Sequence, residues 1–349
     1  MHPKKLSQVE FIALMAMLFA TIAFSIDSML PALPRIASEL TPDLPNRAQL
    51  ILSSFVVGMG VGTFFTGPLS DALGRKPVLL IGSAIYILAA AMAWMAQSLE
   101  MVLLARVLQG LGAAGPRVVA MAIVRDLYSG RAMAKIMSFV MMVFTLVPAV
   151  APLMGAGIIA IAGWRGVFIA FIIFAFISSL WLAIRQPESL PPEDRRPLRI
   201  RLMWSAVREM FAHETVRLSM LAQVLCYAML FLMINLVQPV FDVVFDRNDS
   251  FPVWFAVIAL VSGSASLLNA ALVMRMGMRR LASIAFGAQV FISAAMTALI
   301  FSGVSGDLLF AAFVVWQTSV FFLAGMTLGN LTALAMEPVG HMAGLAASI

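Results

Sequence analysis

The chain has 349 residues, of which 62% are apolar and 11% charged, and its mean hydropathy is +0.99. A soluble domain carries about 25% charge, so composition excludes a soluble globular protein and points to a membrane protein with many helical spans. The single cysteine, Cys226, leaves no disulfide framework and no cysteine-based metal site.

A helical span takes about 20 mainly apolar residues. Ten runs meet that length: 10–33, 48–70, 77–97, 101–124, 133–162, 164–184, 218–241, 251–274, 281–302 and 308–335. The first follows Lys4 and Lys5 and lacks a small-residue cleavage site before Asp27, so it reads as an uncleaved span and not a signal peptide. The fifth is long, and Pro148 and Pro152 predict a bend or break in it. Residues 342–349 read as the first turns of an eleventh span.

The cations orient this layout. Of the 23 Lys and Arg, 17 fall at the N-terminus or in loops on its side, four (Arg35, Arg47, Arg165, Arg247) on the other, and two (Arg106, Arg117) within a span. Cytoplasmic loops collect Lys and Arg, so the N-terminus is expected in the cytoplasm. The pI near 10.1 then reflects membrane topology and not a nucleic-acid surface.

Six spans precede a polar stretch, 185–217, containing PESLPPEDRRPLRIR. Its prolines rule out one continuous helix, though 203–213 reads as a short amphipathic helix at the interface. The domain reading is a six-helix bundle over 1–184, a cytoplasmic linker over 185–217, and a second, incomplete bundle over 218–349. The fold class is an all-α polytopic membrane protein built from two bundles, as in secondary transporters.

Several motifs carry a more specific resemblance. The second and third spans join through GPLSDALGRKP (67–77), and the fourth contains LLARVLQGLGAAG (103–115). VPAVAPLMGAG (147–157) and GWRGVF (163–168) follow, with IDSMLPALPRIASEL (26–40) ending the first span and LTALAMEPVGHMAG near the C-terminus. In order and spacing these resemble the major facilitator superfamily, and within it the drug:proton antiporters of the bicyclomycin/chloramphenicol (Bcr/CflA) resistance group. The resemblance implies a proton-coupled exporter of small amphipathic drugs in the bacterial inner membrane, working as a monomer by alternating access. It needs no cofactor, metal or nucleic acid; its partners are the small-molecule cargo, protons and lipid. Departures are Ala72 and Ala151, where the signatures have Arg and Gly, and Phe19 and Ala20, where some relatives carry a second acid. The alternatives are a proton-linked transporter of one metabolite and a shortened, transport-inactive membrane protein.

Asp27 is the lone acid inside the first span. Ionised in a bilayer it costs at least a few kcal/mol. Desolvation favours the neutral acid and a nearby cation the carboxylate, so a group balanced between them exchanges a proton. Arg106 and Arg117 are 11 residues apart and therefore within about 20° of one face, with Gln109 about 60° from Arg106. Depth along the helices puts Asp27 and Arg106 at about 7 and 10 Å on the outer side of the midplane, and Arg117 about 6 Å on the inner side. Asp27 is thus expected to alternate between a proton and Arg106. A fixed Asp27–Arg106 ion pair, or a wetted Asp27 capping the turn at Pro31, are the structural alternatives.

Gln109, Arg117, Asn235, Gln238, Gln317 and Asn330 are candidate cargo-cavity polars. Pro148, Pro152 and Gly155, with Gly157, mark a small-residue face that bends and packs closely. Gly67, Asp71, Gly74, Arg75 and Lys76 form the candidate gating loop. By resemblance Asp71 meets the N-terminus of the eleventh span, while Arg75 and Lys76 serve the gate or simply orient the hairpin. No HExxH, P-loop or Gly-x-Ser-x-Gly is present, and His2, His213 and His341 lie outside the spans, so an enzyme is not expected.

Overall fold

The computed structural model describes residues 6–195 and 200–342. These are helical, with no strand among the described residues. They divide into two compact units, one ending at Ile200 and the other starting at Arg201.

The first unit holds α1 (Gln8–Asp27), α2 (Leu33–Leu40), α3 (Leu50–Leu73), α4 (Arg75–Met95), α5 (Leu99–Leu127), α6 (Gly130–Ala162) and α7 (Arg165–Arg185). The second holds α8 (Ile200–Ala212), α9 (Glu214–Pro239), α10 (Phe251–Met276), α11 (Met278–Phe301) and α12 (Gly306–Met336). Among the described residues nine helices are long and apolar enough to cross a membrane, and the apolar stretch Leu146–Ala162 lies within α6. α8 covers the amphipathic segment expected in the linker.

α5 is the hub of the first unit. α3 packs along one side of it and α4 along another, while α7 covers α4 and α6 lies against α1. Glycines allow these approaches. A Cβ on Gly110 would lie 2.0 Å from the Phe55 carbonyl oxygen, and one on Gly58 would lie 1.9 Å from that of Val107. The α4–α5 contact uses Gly82 against Gly112 in the same way. Without water to drive apolar association, close backbone packing holds membrane helices together. The glycines of LQGLGAAG therefore serve helix contact. Phe11, Leu14, Leu18, Leu79, Ile123 and Leu182 fill the interior between α1, α4, α5 and α7. α12 plays the corresponding part in the second unit, with α9, α10 and α11 each packed on it.

The short connections repeat as well. Gly74 (φ 104°, ψ 156°) separates α3 from α4, and Gly277 (φ 79°, ψ 154°) separates α10 from α11. Positive φ comes at little cost only to glycine, so one residue ends one helix and starts the next.

Two expectations need correction. The first span was expected to run through residue 33, but α1 ends at Asp27 and a 3-10 turn over Leu30–Ala32 leads into α2. Pro31 has no N–H to bond the Asp27 carbonyl, and its ring crowds that oxygen. Conversely, α6 runs as one helix through Pro148 and Pro152, so of the expected bend or break the break does not occur. Neighbouring helices make proline tolerable within a membrane helix, and here α1 packs along α6. The start of an eleventh span expected over 342–349 lies, after Met342, outside the described residues.

Candidate functional site

Arg106 lies in the first half of α5, fully enclosed. Its Nε donates to the Ile51 carbonyl of α3 at 3.2 Å, one terminal nitrogen to Gln109 Oε1 at 2.7 Å, and the other to the Ser25 carbonyl of α1 at 3.0 Å. Its guanidinium carbon lies 4.4 Å from the ring centre of Phe55. The cation is therefore held by backbone dipoles, an amide and a π face. Ser25 Oγ also pairs with the Tyr86 hydroxyl of α4, so the polar cluster ties together α1, α3, α4 and α5.

Asp27 is buried at the end of α1, 5% exposed, and among the described residues it has no hydrogen bond and no ion pair. The expected direct contact with Arg106 is absent in this conformation. Depth alone placed the two within reach, but direction around α1 also matters. Asp27 follows Ser25 by two residues, about 200° around the helix. Ser25 faces Tyr86, so Asp27 occupies the far side of α1, towards neither Tyr86 nor Arg106.

Arg117 shares an azimuth with Arg106 yet is exposed. Eleven residues separate them along the axis, about 16 Å, and the helices enclosing Arg106 do not enclose Arg117. Gln109 is fully buried with Arg106, and its Nε2 has no partner among the described residues. In the second unit Gln238 is buried and donates to Asn248 Oδ1 at 3.0 Å, and Asn330 is buried and donates to Asn269 Oδ1 at 2.7 Å. Gln317 is fully buried with both amide atoms unpartnered among the described residues, and Asn235 is half-buried. Four of the six expected cavity polars thus lie inside packed bundles in this conformation, not along an open surface. Sequence reasoning counted polar atoms within spans, which does not tell a bundle interior from a cavity wall.

The 67–77 loop is an ionic knot. Arg75, its side chain 6% exposed, donates to Asp126 Oδ2 of α5 at 2.9 Å, to Ser70 Oγ at 2.7 Å and to Asp71. Lys76 Nζ donates to the Ala183 carbonyl at the end of α7 at 2.6 Å. Glu188 accepts from the backbone N–H groups of Arg75 and Lys76 at 2.9 and 3.1 Å. A carboxylate at a helix start satisfies free N–H groups and opposes the dipole, so Glu188 caps α4 from beyond α7. Gly67 lies within α3, and Gly74 makes the turn. The expected contact of Asp71 with an eleventh span falls outside the described residues.

On the opposite end of the unit, Glu39 gathers the GWRGVF segment. It accepts from Trp164 Nε1 and Arg165, both at 2.6 Å, while Arg165 also donates to the Ala96 carbonyl at 3.1 Å. On α6, a Cβ on Gly155 would lie 2.2 Å from the Ser28 carbonyl oxygen, so this glycine lets α6 close on the residue after Asp27. Gly157 has nothing within 4 Å of that position.

A model of the Major Facilitator Superfamily matches residues 13–349. The chain belongs to this superfamily. It is 29% identical over 343 residues to a bicyclomycin resistance protein homolog of Haemophilus influenzae, covering 97% of this chain and 84% of that one. A chloramphenicol resistance protein of Pseudomonas aeruginosa is 36% identical over 184 residues, 52% of this chain and 42% of the relative. The fold is similar to the partially occluded inward-open xylose transporter XylE of E. coli, with a TM-score of 0.75 at 11% identity over 98% of this chain and 90% of that one. Superfamily membership makes this a multi-pass membrane transporter and not an enzyme, and the named relatives fall in the resistance group that the motifs resemble.

Sequence reasoning missed Ser25, Tyr86, Glu39, Asp126 and Glu188. Asp126 and Glu188 carried a weak signal, as acids next to spans in a strongly basic set of loops. Ser25 and Tyr86 carried none, because serine and tyrosine are unremarkable in a membrane helix until a cation is brought to them.

Proposed function

We propose that this transporter exports small amphipathic drugs in exchange for protons, by alternating access, as a monomer in the bacterial inner membrane with its N-terminus in the cytoplasm. The carrying observation is Asp27: an acid buried in the first unit with no cation or donor among the described residues. A carboxylate left in that state costs several kcal/mol, so the group holds a proton until the surroundings change. The names of the relatives support drug cargo, and the cation distribution supports the orientation.

In this reading the protonated Asp27 is the neutral, packed state. Cargo entry and the accompanying helix movement wet the acid, and the proton leaves. Arg106 supplies a fixed positive potential on the opposite side of α1 and pairs with the ionised acid in another conformation. Arg117 and Asn235 meet cargo first, being exposed and half-buried; Gln109, Gln238, Gln317 and Asn330 take part once the bundles open. Asp71, Gly74, Arg75 and Lys76, fixed by Asp126 and Glu188, form the gating loop at the inner end of the first unit.

Substrate-induced proton release from purified protein tests this. Wild type is expected to release protons on adding a transported drug, and Asp27→Asn to bind the drug without release. Undiminished release or proton-driven efflux by Asp27→Asn refutes the assignment.

A further inference from the structure

Ser25 is held from two sides, two residues before α1 ends. Its carbonyl accepts from Arg106 at 3.0 Å, and its hydroxyl pairs with that of Tyr86 on α4. The Ser25 hydroxyl has one proton and donates it to the Thr21 carbonyl at 2.5 Å, so the Tyr86 O–H is the donor to Ser25 Oγ. Both residues are buried, and no water stands ready to replace the bond. It therefore ties the azimuth of the last turn of α1 to α4. Past Asp27, Gly155 lets the Ser28 carbonyl seat against α6. Asp27 lies between these two fixed residues, about 200° around the helix from Ser25.

The other charges around α1 are already engaged. Arg75 pairs with Asp71 and Asp126, Arg165 with Glu39, and Arg185 with Glu10. Arg35 of α2 donates to the Ile159 carbonyl at 3.4 Å. Residues 136–162 of α6 and 166–184 of α7 include no titratable side chain. Arg106 is buried and pairs with no carboxylate among the described residues. A buried acid without a partner and a buried cation without a counter-ion thus share one unit, kept apart by the direction of one helical turn. Once the acid ionises, their attraction in so dry an interior is strong, so the contact that fixes this turn decides when they meet.

We propose that Tyr86 is a positioning residue for the proton-carrying acid: its bond to Ser25 clasps the last turn of α1 and keeps Asp27 from Arg106 until helix movement breaks it. The inference rests on the reading of Asp27 as the proton carrier and adds what times its pairing. The turn that carries Asp27 is the last of α1 and leads into the 3-10 turn at Pro31, so it re-aims without unseating the rest of the helix.

Infrared difference spectroscopy of the purified full chain, with Asp27→Asn subtracted, reads the Asp27 side chain as neutral acid, hydrated carboxylate or guanidinium-paired carboxylate. Wild type without drug is expected to show the neutral acid. Tyr86→Phe loses the clasp and is expected to raise the paired form roughly fivefold, with a like rise in drug-free proton flux in proteoliposomes. Ser25→Ala breaks the same bond from α1 should Tyr86→Phe fail to fold, and the two together should do no more than either alone. A tyrosine that is only structural would lower stability and leave the spectrum and the drug-free flux as in wild type. That result, or a hydrated and unpaired carboxylate in Tyr86→Phe, overturns the clasp and leaves the assignment of Asp27 standing. Drug-induced proton release by Asp27→Asn at the wild-type level overturns Asp27 as the carrier and the clasp with it.

Discussion

Gly110→Ala is the sharpest test of how the first unit is built. The added Cβ lies 2.0 Å from the Phe55 carbonyl oxygen and 2.8 Å from the Met59 nitrogen. Both are backbone atoms, so no side chain can swing aside. Restoring ordinary contact at 3.4 Å requires α3 and α5 to part by 1.4 Å, and a gap of that size forfeits much of the dispersion energy along the contact. Overpacking costs about 1–3 kcal/mol, and a seam of two backbones belongs at the upper end. Alanine regains about 1 kcal/mol of helix propensity over glycine, leaving a net loss of about 1–2 kcal/mol. Gly157→Ala is the matched control, because nothing lies within 4 Å of its Cβ; there propensity acts alone and the helix gains up to about 1 kcal/mol. Monodispersity by size-exclusion chromatography after a temperature series measures both. Gly110→Ala should aggregate at a lower temperature than wild type, and Gly157→Ala at the same temperature or higher. If Gly110→Ala survives as well as Gly157→Ala, the close α3–α5 approach is not what holds the bundle.

Arg75→Gln leaves Asp126, whose side chain is only 16% exposed, with the Ser189 hydroxyl as its remaining partner; breaking a buried pair costs about 3–5 kcal/mol, so a loss below that range is expected, and the double variant with Asp126→Asn should recover part of the lost yield of folded protein. Glu39→Gln removes a half-exposed ion pair and should lower stability by less than about 1 kcal/mol, with the difference from wild type shrinking in high salt. Cys226 is 1% exposed and touches Thr327 Oγ1 at 3.6 Å; a maleimide should leave the folded protein unlabelled and react on denaturation, and rapid labelling in mild detergent would show that the α9–α12 contact is open.

The amino-acid sequence by itself determined the membrane class, the position of nearly every span and the identity of the polar residues inside them. That information is one-dimensional: the length of an apolar run reports the bilayer, and cation counts report its two sides. Even proline acted locally at Pro31, where a missing N–H ended α1. What only the tertiary structure decided is which groups meet. Depth put Asp27 and Arg106 at similar levels, but rotation about α1 turned them apart, and the cation found Ser25, Ile51, Gln109 and Phe55 instead. Likewise Glu188 caps a helix more than a hundred residues earlier. Azimuth and long-range closure come from how glycine seams let helices approach, and no single helix encodes them.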